Sequence, residues 1–283
     1  MEAALGRRDL ADAAREVRER LTPYPLTEAR VLCLWPGKPL DESHRHPSHL
    51  MPIHPAMDLT IEGADEERAI IADSLEHFLE LGQFRWAGHT YAQWVSLAAC
   101  VGQPGMAYDA LRQYADHWLG PNGLHFNRDW HFTGSTCFRG RLEGAPFTME
   151  ASCGITMGLC DLLIQGWNDR LRIFPAVPDH WREVAFRDLV AEGAWVVSAV
   201  RLDGETVWVR VKAGASRRLL LKDPFGARPV AVTGAELRRE GEDFVGELRS
   251  GQVVTLAVEG YRLGLEEAVA RVRTSDPSPL GLR

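Results

Sequence analysis

The spacing of apolar residues changes near residue 170, and this change constrains the fold more than any other feature of the 283-residue chain. Before this point apolar residues recur every three or four positions, which is typical of amphipathic helices. After it they alternate with polar residues, which is typical of strands. The pattern therefore predicts an α+β protein in which a helical part precedes a β part.

Five helices are predicted in the first part, at 8–22, from 65 through 79, at 87–101, from 104 through 118 and at 150–165. Short joining loops predict antiparallel neighbours. Seven prolines keep residues 23–62 irregular. Gly154 and Gly158 lie one turn apart in the last of these helices, where each glycine costs about 1 kcal/mol relative to alanine. This pair indicates that another backbone passes very close.

Strands are predicted in the second part at 194–201, 205–212, 217–223, 243–249 and 252–259. Within the second strand, Val207, Val209 and Val211 should share one face. A short helix is expected at 264–273, and the tail after Thr274 should be loose because it is rich in Pro, Ser and Gly.

Composition excludes several classes of protein. The net charge is −7 and no Lys/Arg-rich run occurs, so nucleic acid is not an expected partner. No stretch reaches the roughly 18 apolar residues of a membrane span. The five cysteines form no C-x-x-C pair, which argues against a zinc ribbon or a disulfide framework and favours free thiols in a reducing compartment. We therefore expect a cytoplasmic protein without a membrane partner, and we predict no cofactor.

The segment His44-Arg45-His46-Pro47-Ser48-His49 places three imidazoles within six residues. Three explanations are open: a metal site, a proline-kinked turn whose imidazoles pair with buried polar groups, and a polar ligand pocket. The metal site is the least favoured, because this loop spacing is not a familiar ligand pattern. The pocket is favoured because imidazole can both donate hydrogen bonds to hydroxyl groups and accept them.

Glu150 lies in the segment 146–154, where an irregular stretch meets the fifth predicted helix. A carboxylate at a helix N-terminus is stabilised by the helix dipole and by free N–H groups, which is a sufficient structural explanation. The functional alternative is a general base that takes a proton from an attacking water molecule. In that case the carboxylate should be partly desolvated.

Three segments together resemble glycoside hydrolase family 95, whose characterised members are mainly α-L-fucosidases and α-L-galactosidases. The resemblance covers about residues 28–225. Its segments are HRHPSHL at 44–50, PFTMEASCG at 146–154 with the adjoining LCDLLIQG at 159–166, and LRIFPAVPDHW at 171–181.

The resemblance implies a partial (α/α)6 toroid of the six-hairpin glycosidase kind, followed by a small antiparallel β-sandwich or sheet. The toroid segment would span 1–168, the β-domain 169–262, and a short helix and tail 263–283. An inverting glycosidase is implied, with an α-L-fucoside-like or α-L-galactoside-like substrate. Glu150 would be the general base, and His44, Arg45, His46 and His49 would help to form the sugar pocket. Apart from the resemblance, Trp86, Trp130 and Arg139 are weaker candidates for sugar contacts, and a structural role explains each of them better.

The chain departs from the family at three points. Glu150 stands where the family has Asp, and the residues after it differ. The general acid of the family cannot be identified, since only 43 residues precede His44. We therefore expect the C-terminal part of a longer enzyme, which binds a missing N-terminal half or self-associates through uncovered apolar helix faces. A non-catalytic carbohydrate-binding or scaffold protein is the alternative, and a metal-dependent enzyme using the His segment is the third hypothesis.

Overall fold

The computed structural model describes residues 8–134, 136–141 and 147–275. Within these residues the chain forms helices and short antiparallel strands. The helices are α1 (Arg8–Glu19), α2 (Asp65–Glu80), α3 (Gly88–Cys100), α4 (Pro104–Trp118), α5 (Met149–Leu163) and α6 (Leu265–Ser275). The strands are β1 (Cys33–Trp35), β2 (Lys38–Pro39), β3 (Ile164–Gln165), β4 (Arg172–Ile173), β5 (Val184–Ala191), β6 (Trp195–Leu202), β7 (Glu205–Ala213), β8 (Arg217–Lys222), β9 (Val230–Thr233), β10 (Arg238–Glu240), β11 (Asp243–Leu248) and β12 (Val253–Val258).

Helix α3 lies at the centre of the helical core. Eleven of its 13 residues are buried, and it packs against both α4 and α5. The sequence of α3 is mostly apolar on all sides, and such a helix is stable only when neighbours cover every side. An aromatic group that includes Phe78 and Trp94 packs on this helix, with 5.5 Å between the two ring centroids.

The two glycines of α5 let this helix approach α3 closely, as predicted. A Cβ atom on Gly158 would lie 2.8 Å from Val95 Cγ1, and one on Gly154 would lie 3.3 Å from Ala92 Cβ. Further along the chain the contacts keep this order, because the Gln165 side-chain amide, just after α5, donates to the carbonyl of Ala99 near the end of α3. The residues thus advance together along both helices, so α3 and α5 run parallel and their N-termini lie at the same end.

The predicted fold class, a partial (α/α)6 toroid followed by a small β-sandwich, is wrong. The described residues form six helices and twelve strands in small antiparallel sheets, and these elements show no toroid. A toroid surrounds a hollow with paired helices. Here α3 fills the middle and is covered by α4 on one side and α5 on another, so the helices form a compact core. The motif resemblance therefore does not carry over to the architecture.

The second part of the chain builds two antiparallel sheets, with strand orders β5-β6-β7-β12-β9 and β10-β11-β8. Both sheets contribute to one hydrophobic core, which includes Val209, Val211, Leu219 and Phe244. Val207 does not share this core, because a register shift after Val200 interrupts the alternation. It packs instead in a smaller cluster beside α6, so the predicted common face holds for two of the three valines.

The helical core and the sheet core meet around Trp181, which packs against both. A charged network also joins the two parts. The Arg172 guanidinium donates to both carboxylate oxygens of Glu62 at 2.9 and 2.5 Å, and Arg170 lies 3.1 Å from the same carboxylate. The predicted domain boundary at 168/169 is not tested by these contacts and stays a prediction.

The helix and strand intervals themselves agree well with the sequence pattern, since α2 to α6 and the five predicted strands lie within a few residues of their expected bounds. Pro146 of the Glu150 segment and tail residues 276–283 lie outside the described residues. Of the helices in the described part of the chain, none combines the length and the apolar character needed to cross a membrane.

Candidate functional site

The His44–His49 loop is fixed against the start of α3. Thr90 Oγ1, in the first turn of α3, donates to the Arg45 carbonyl at 2.6 Å and accepts from the Ala87 amide at 3.1 Å. Ser43 makes a second anchor, since its hydroxyl donates to the Gly82 carbonyl at 2.7 Å. Proline prevents this segment from continuing as a helix, so side-chain anchors of this kind determine its path.

Two of the three imidazoles of the loop lie side by side, and the third is buried apart from them. His44 and His46 have ring centroids 5.7 Å apart, and His46 is exposed. His49 is 5% exposed and packs on Phe78, with 5.8 Å between the ring centroids. Burial, with smaller contributions from the charges of His77 and His44, lowers the pKa of His49 to about 4. His49 is therefore buried, but neither of its ring nitrogens has a hydrogen-bond partner among the described residues, so it does not pair with a buried polar group as the turn explanation requires. His44 and His46 are less buried and remain available to a ligand.

The parallel arrangement of α3 and α5 brings Glu150 to the same surface as His46. The His46 ring lies 5.5 Å from the ring of His89, in the first turn of α3. Burial lowers the pKa of His89, and the carboxylate of Glu150 partly opposes this shift. Glu150 is in the first turn of α5 and is exposed. The charge of Glu150 acts on both His89 and His125, so Glu150 lies in the same region as the His46–His89 pair, although His46 and Glu150 are about 100 residues apart in sequence. His46, His89 and Glu150 are called the His46 cluster below.

His125 and Thr148 form the buried side of this cluster. Thr148 Oγ1 and His125 Nδ1 are 2.7 Å apart, and the His125 ring stacks on Tyr114 at 5.6 Å with an interplanar angle of 12°. Burial lowers the pKa of His125 to about 4, although hydrogen bonding at Thr148 and the charge of Glu150 oppose the shift. His125 Nε2 has no hydrogen-bond partner among the described residues and faces Gly88, where a Cβ atom would lie only 2.1 Å away.

His89 and His125 were not predicted as site residues. His89 lies inside a helix whose other positions are mostly apolar, and His125 lies in an irregular stretch. A usable signal for His125 was its position in the aromatic and His-rich segment before Glu150. For His89 the sequence offers only a polar residue near the start of an otherwise apolar helix, which is a weak signal.

The remaining predicted contacts differ in burial and in partners. Trp86 is fully buried and stacks on Phe78 with 5.0 Å between the ring centroids, so it belongs to the core. Trp130 is half-buried and donates its indole N–H to the Leu119 carbonyl at 3.2 Å. Arg139 is exposed. Arg45 is also exposed, and its guanidinium carbon lies 5.6 Å from the ring centroid of Phe138.

This arrangement offers hydrogen-bonding groups of both kinds to a hydroxylated ligand. Imidazoles that are neutral at physiological pH can donate or accept, and the Glu150 carboxylate accepts. The N-termini of two parallel helices add positive potential here, which disfavours protonated imidazole and favours a carboxylate. Among the described residues the group with three potential metal ligands is a different one, formed by His54, Cys100 and Asp161.

No protein-family model matches the chain, and the curated proteins include no match either. The resemblance to glycoside hydrolases therefore depends on the motifs in the sequence.

Proposed function

We propose that the surface formed by His44, His46, His89 and Glu150 binds a carbohydrate, and that the protein is a glycoside hydrolase-like enzyme. The observation that carries this proposal is that the His46 ring lies beside the His89 ring while the charge of Glu150 acts on His89. The motifs that resemble family 95 include both His46 and Glu150. An α-L-fucoside-like or α-L-galactoside-like substrate is the proposed class.

In this proposal Glu150 is the general base. It accepts a proton from a water molecule as the water oxygen attacks the anomeric carbon, and the configuration inverts. His44 and His46 bind sugar hydroxyls, and His89, whose Nδ1 has no hydrogen-bond partner among the described residues, offers a further group for the same ligand. An inverting reaction also needs a general acid roughly 6.5–9.5 Å from the base. Within the described part of this cluster the carboxyl group is Glu150, so a longer chain or a partner would supply the acid.

A non-catalytic carbohydrate-binding role is the second candidate, and one observation favours it. Glu150 is exposed to solvent. A general base in this position should be partly desolvated, because water shields its charge and stabilises its ionised form. Binding of a sugar over the cluster would remove this water. Both roles therefore predict sugar binding, and only the catalytic role predicts hydrolysis of the bound sugar.

Isothermal titration calorimetry with L-fucose and L-galactose, together with hydrolysis of a nitrophenyl α-L-fucoside, tests the proposal. The nitrophenolate leaving group departs without a proton, so this substrate reports on the general base in the absence of a general acid. We expect His46→Gln to weaken sugar binding about tenfold, equivalent to about 1.4 kcal/mol. We expect Glu150→Gln to reduce hydrolysis by at least about 100-fold, because a general base is lost, while the protein still folds.

Glu66→Gln is the matched control, since Glu66 is an exposed carboxylate in the first turn of α2. It should change neither binding nor hydrolysis. Sugar binding without hydrolysis would select the non-catalytic role. Equal hydrolysis by wild type and Glu150→Gln would remove Glu150 from the mechanism, and the absence of sugar binding to the wild type would contradict both roles.

A further inference from the structure

A second cluster of polar side chains lies at the opposite end of the α3–α5 pair. Cys100 is the last residue of α3, Asp161 lies in the last turn of α5, and His54 follows the short helical turn at Ser48–Leu50. Their potential ligand atoms all lie within 4.8 Å of one another. His54 Nε2 and Asp161 Oδ2 are 3.5 Å apart, with side chains that are 9% and 19% exposed.

The Asp161 oxygen that faces this cluster is otherwise unsatisfied. Asp161 Oδ2 is buried and has no hydrogen-bond partner among the described residues. Cys100 is 4% exposed, so its sulfur also lies away from bulk water. An unpaired buried carboxylate oxygen costs free energy, and a bound cation would remove that cost.

The three donors are a familiar combination for one class of metal. Zinc binds thiolate sulfur at about 2.3 Å, imidazole nitrogen at about 2.0 Å and carboxylate oxygen at about 2.1 Å. Tetrahedral geometry then separates neighbouring ligand atoms by roughly 3.3–3.8 Å, so the cluster needs only a small contraction. Thiolate and imidazole disfavour Mg²⁺ and Ca²⁺, which prefer oxygen ligands.

The backbone around the cluster is held by hydrogen bonds. The Gln165 side-chain amide donates to the carbonyls of Ala99 at 3.1 Å and Asp161 at 2.8 Å, so it ties the ends of α3 and α5 together. Trp167 Nε1 in turn donates to Gln165 Oε1 at 2.9 Å. Cys100 also lines a cleft of about 270 Å³ next to the sheet part.

We propose that His54, Cys100 and Asp161 bind a Zn²⁺ ion that joins the loop after residue 50 to the C-terminal ends of α3 and α5. Three protein ligands leave a fourth coordination position for water. The thiol proton of Cys100 is released when the ion binds. This site does not depend on the sugar-binding proposal, since it lies at the other end of the helix pair.

Cobalt substitution tests the proposal in the whole chain. Cys137 and Cys153 are exposed, so both are first replaced by Ser to remove competing thiols. Under reducing conditions, Co²⁺ should produce a thiolate-to-cobalt charge-transfer band in the near ultraviolet, and Zn²⁺ should abolish this band by competition. Zn²⁺ at 100 times its dissociation constant should raise the melting temperature by roughly 4 °C.

Cys100→Ser should lose the charge-transfer band, while Asp161→Asn and His54→Gln should weaken Co²⁺ binding at least tenfold. Cys33→Ser is the matched control, because Cys33 is a buried thiol in β1, and Cys160→Ser is a nearby control. Both should keep the band, and circular dichroism should show that every variant is folded. A folded wild type without the band, or a band retained in folded Cys100→Ser, would overturn the proposal.

Discussion

At the scale of single residues, burial rather than residue type decides which histidines can contact a ligand. His46 and His49 belong to the same six-residue motif, but His46 is exposed and His49 is 5% exposed. The sequence identifies the motif without distinguishing the two, because the loop has no periodic pattern that would assign a side chain to one face. Trp86 illustrates the same difficulty, since an aromatic ring is equally suited to a sugar face and to a core.

The buried histidines should make the protein less stable in mild acid. The pKa of His125 is lowered by burial from 6.5 to about 4 in the folded protein. The unfolded chain therefore binds more protons than the folded one between these values, so the free energy of unfolding falls as the pH decreases from about 6.5 to about 4. We expect His125 to account for on the order of 3 kcal/mol of this loss. Urea unfolding at several pH values measures it.

His125→Gln should reduce the slope of stability against pH in this window, although His49 still contributes a slope of the same sign. His131→Gln is the control, because His131 is exposed and its replacement should leave the slope unchanged. An identical slope in His125→Gln and wild type would mean that His125 is not buried in its neutral form.

At the scale of elements, the helical and alternating patterns predicted most intervals, because each pattern follows from which face is buried. The Gly154–Gly158 pair also predicted a close backbone, which α3 provides. The parallel pairing of α3 with α5 was not predictable in this way, since α4 and a long irregular segment separate the two helices in the chain. The toroid was wrong because it was inferred from motifs and not from the periodic pattern.

Gly158→Ala should destabilise the protein even though alanine is the better helix former. The added Cβ would lie 2.8 Å from Val95 Cγ1 and 2.9 Å from Val95 Cβ, so α3 and α5 would have to separate. We expect a loss of about 1–3 kcal/mol in the free energy of unfolding, the usual cost of overpacking. Chemical denaturation measures this value.

Gly105→Ala is the matched control, because Gly105 lies in α4 and a Cβ atom there would have no neighbour within 4 Å. It should stabilise the protein by up to about 1 kcal/mol through helix propensity. Stabilisation of similar size by both substitutions would show that α3 and α5 are not in close contact at Gly158.

At the scale of the whole molecule, the charged network around Glu62 joins the helical core to the sheets. Burial alone would raise the pKa of Glu62, but hydrogen bonds and charges from Arg172 and Arg170 hold it at about 2. Arg172 is 4% exposed, and its guanidinium carbon lies 3.2 Å from the ring centroid of Trp167. Sequence alone could not predict this network, since Glu62 and Arg172 are separated by 110 residues.

Glu62→Gln should cost about 2–3 kcal/mol at neutral pH, because it leaves the buried Arg172 without its carboxylate. Glu62 binds fewer protons in the folded state than in the unfolded state, so its contribution is present above about pH 4.5 and is lost as the pH falls towards 2. The variant should therefore lose less stability than wild type across that range.

Glu66→Gln again serves as the control, since this exposed carboxylate should change stability by no more than about 0.5 kcal/mol. Thermal unfolding at pH 7 and at pH 3 compares the three proteins. A Glu62→Gln protein as stable as wild type at pH 7 would show that the network does not hold the helical and sheet parts together.

The separation of helices α3 and α5 sets the width of the proposed sugar surface. His89 and Cys100 on one helix, and Glu150 and Asp161 on the other, are each 11 residues apart, which corresponds to about 16 Å of axial rise. The glycine contacts lie between these ends and keep the two helices close together. The side chains at the glycine contacts therefore set the gap between His89 and Glu150. Substitutions at these contacts would change which ligand fits without altering any residue that touches the ligand.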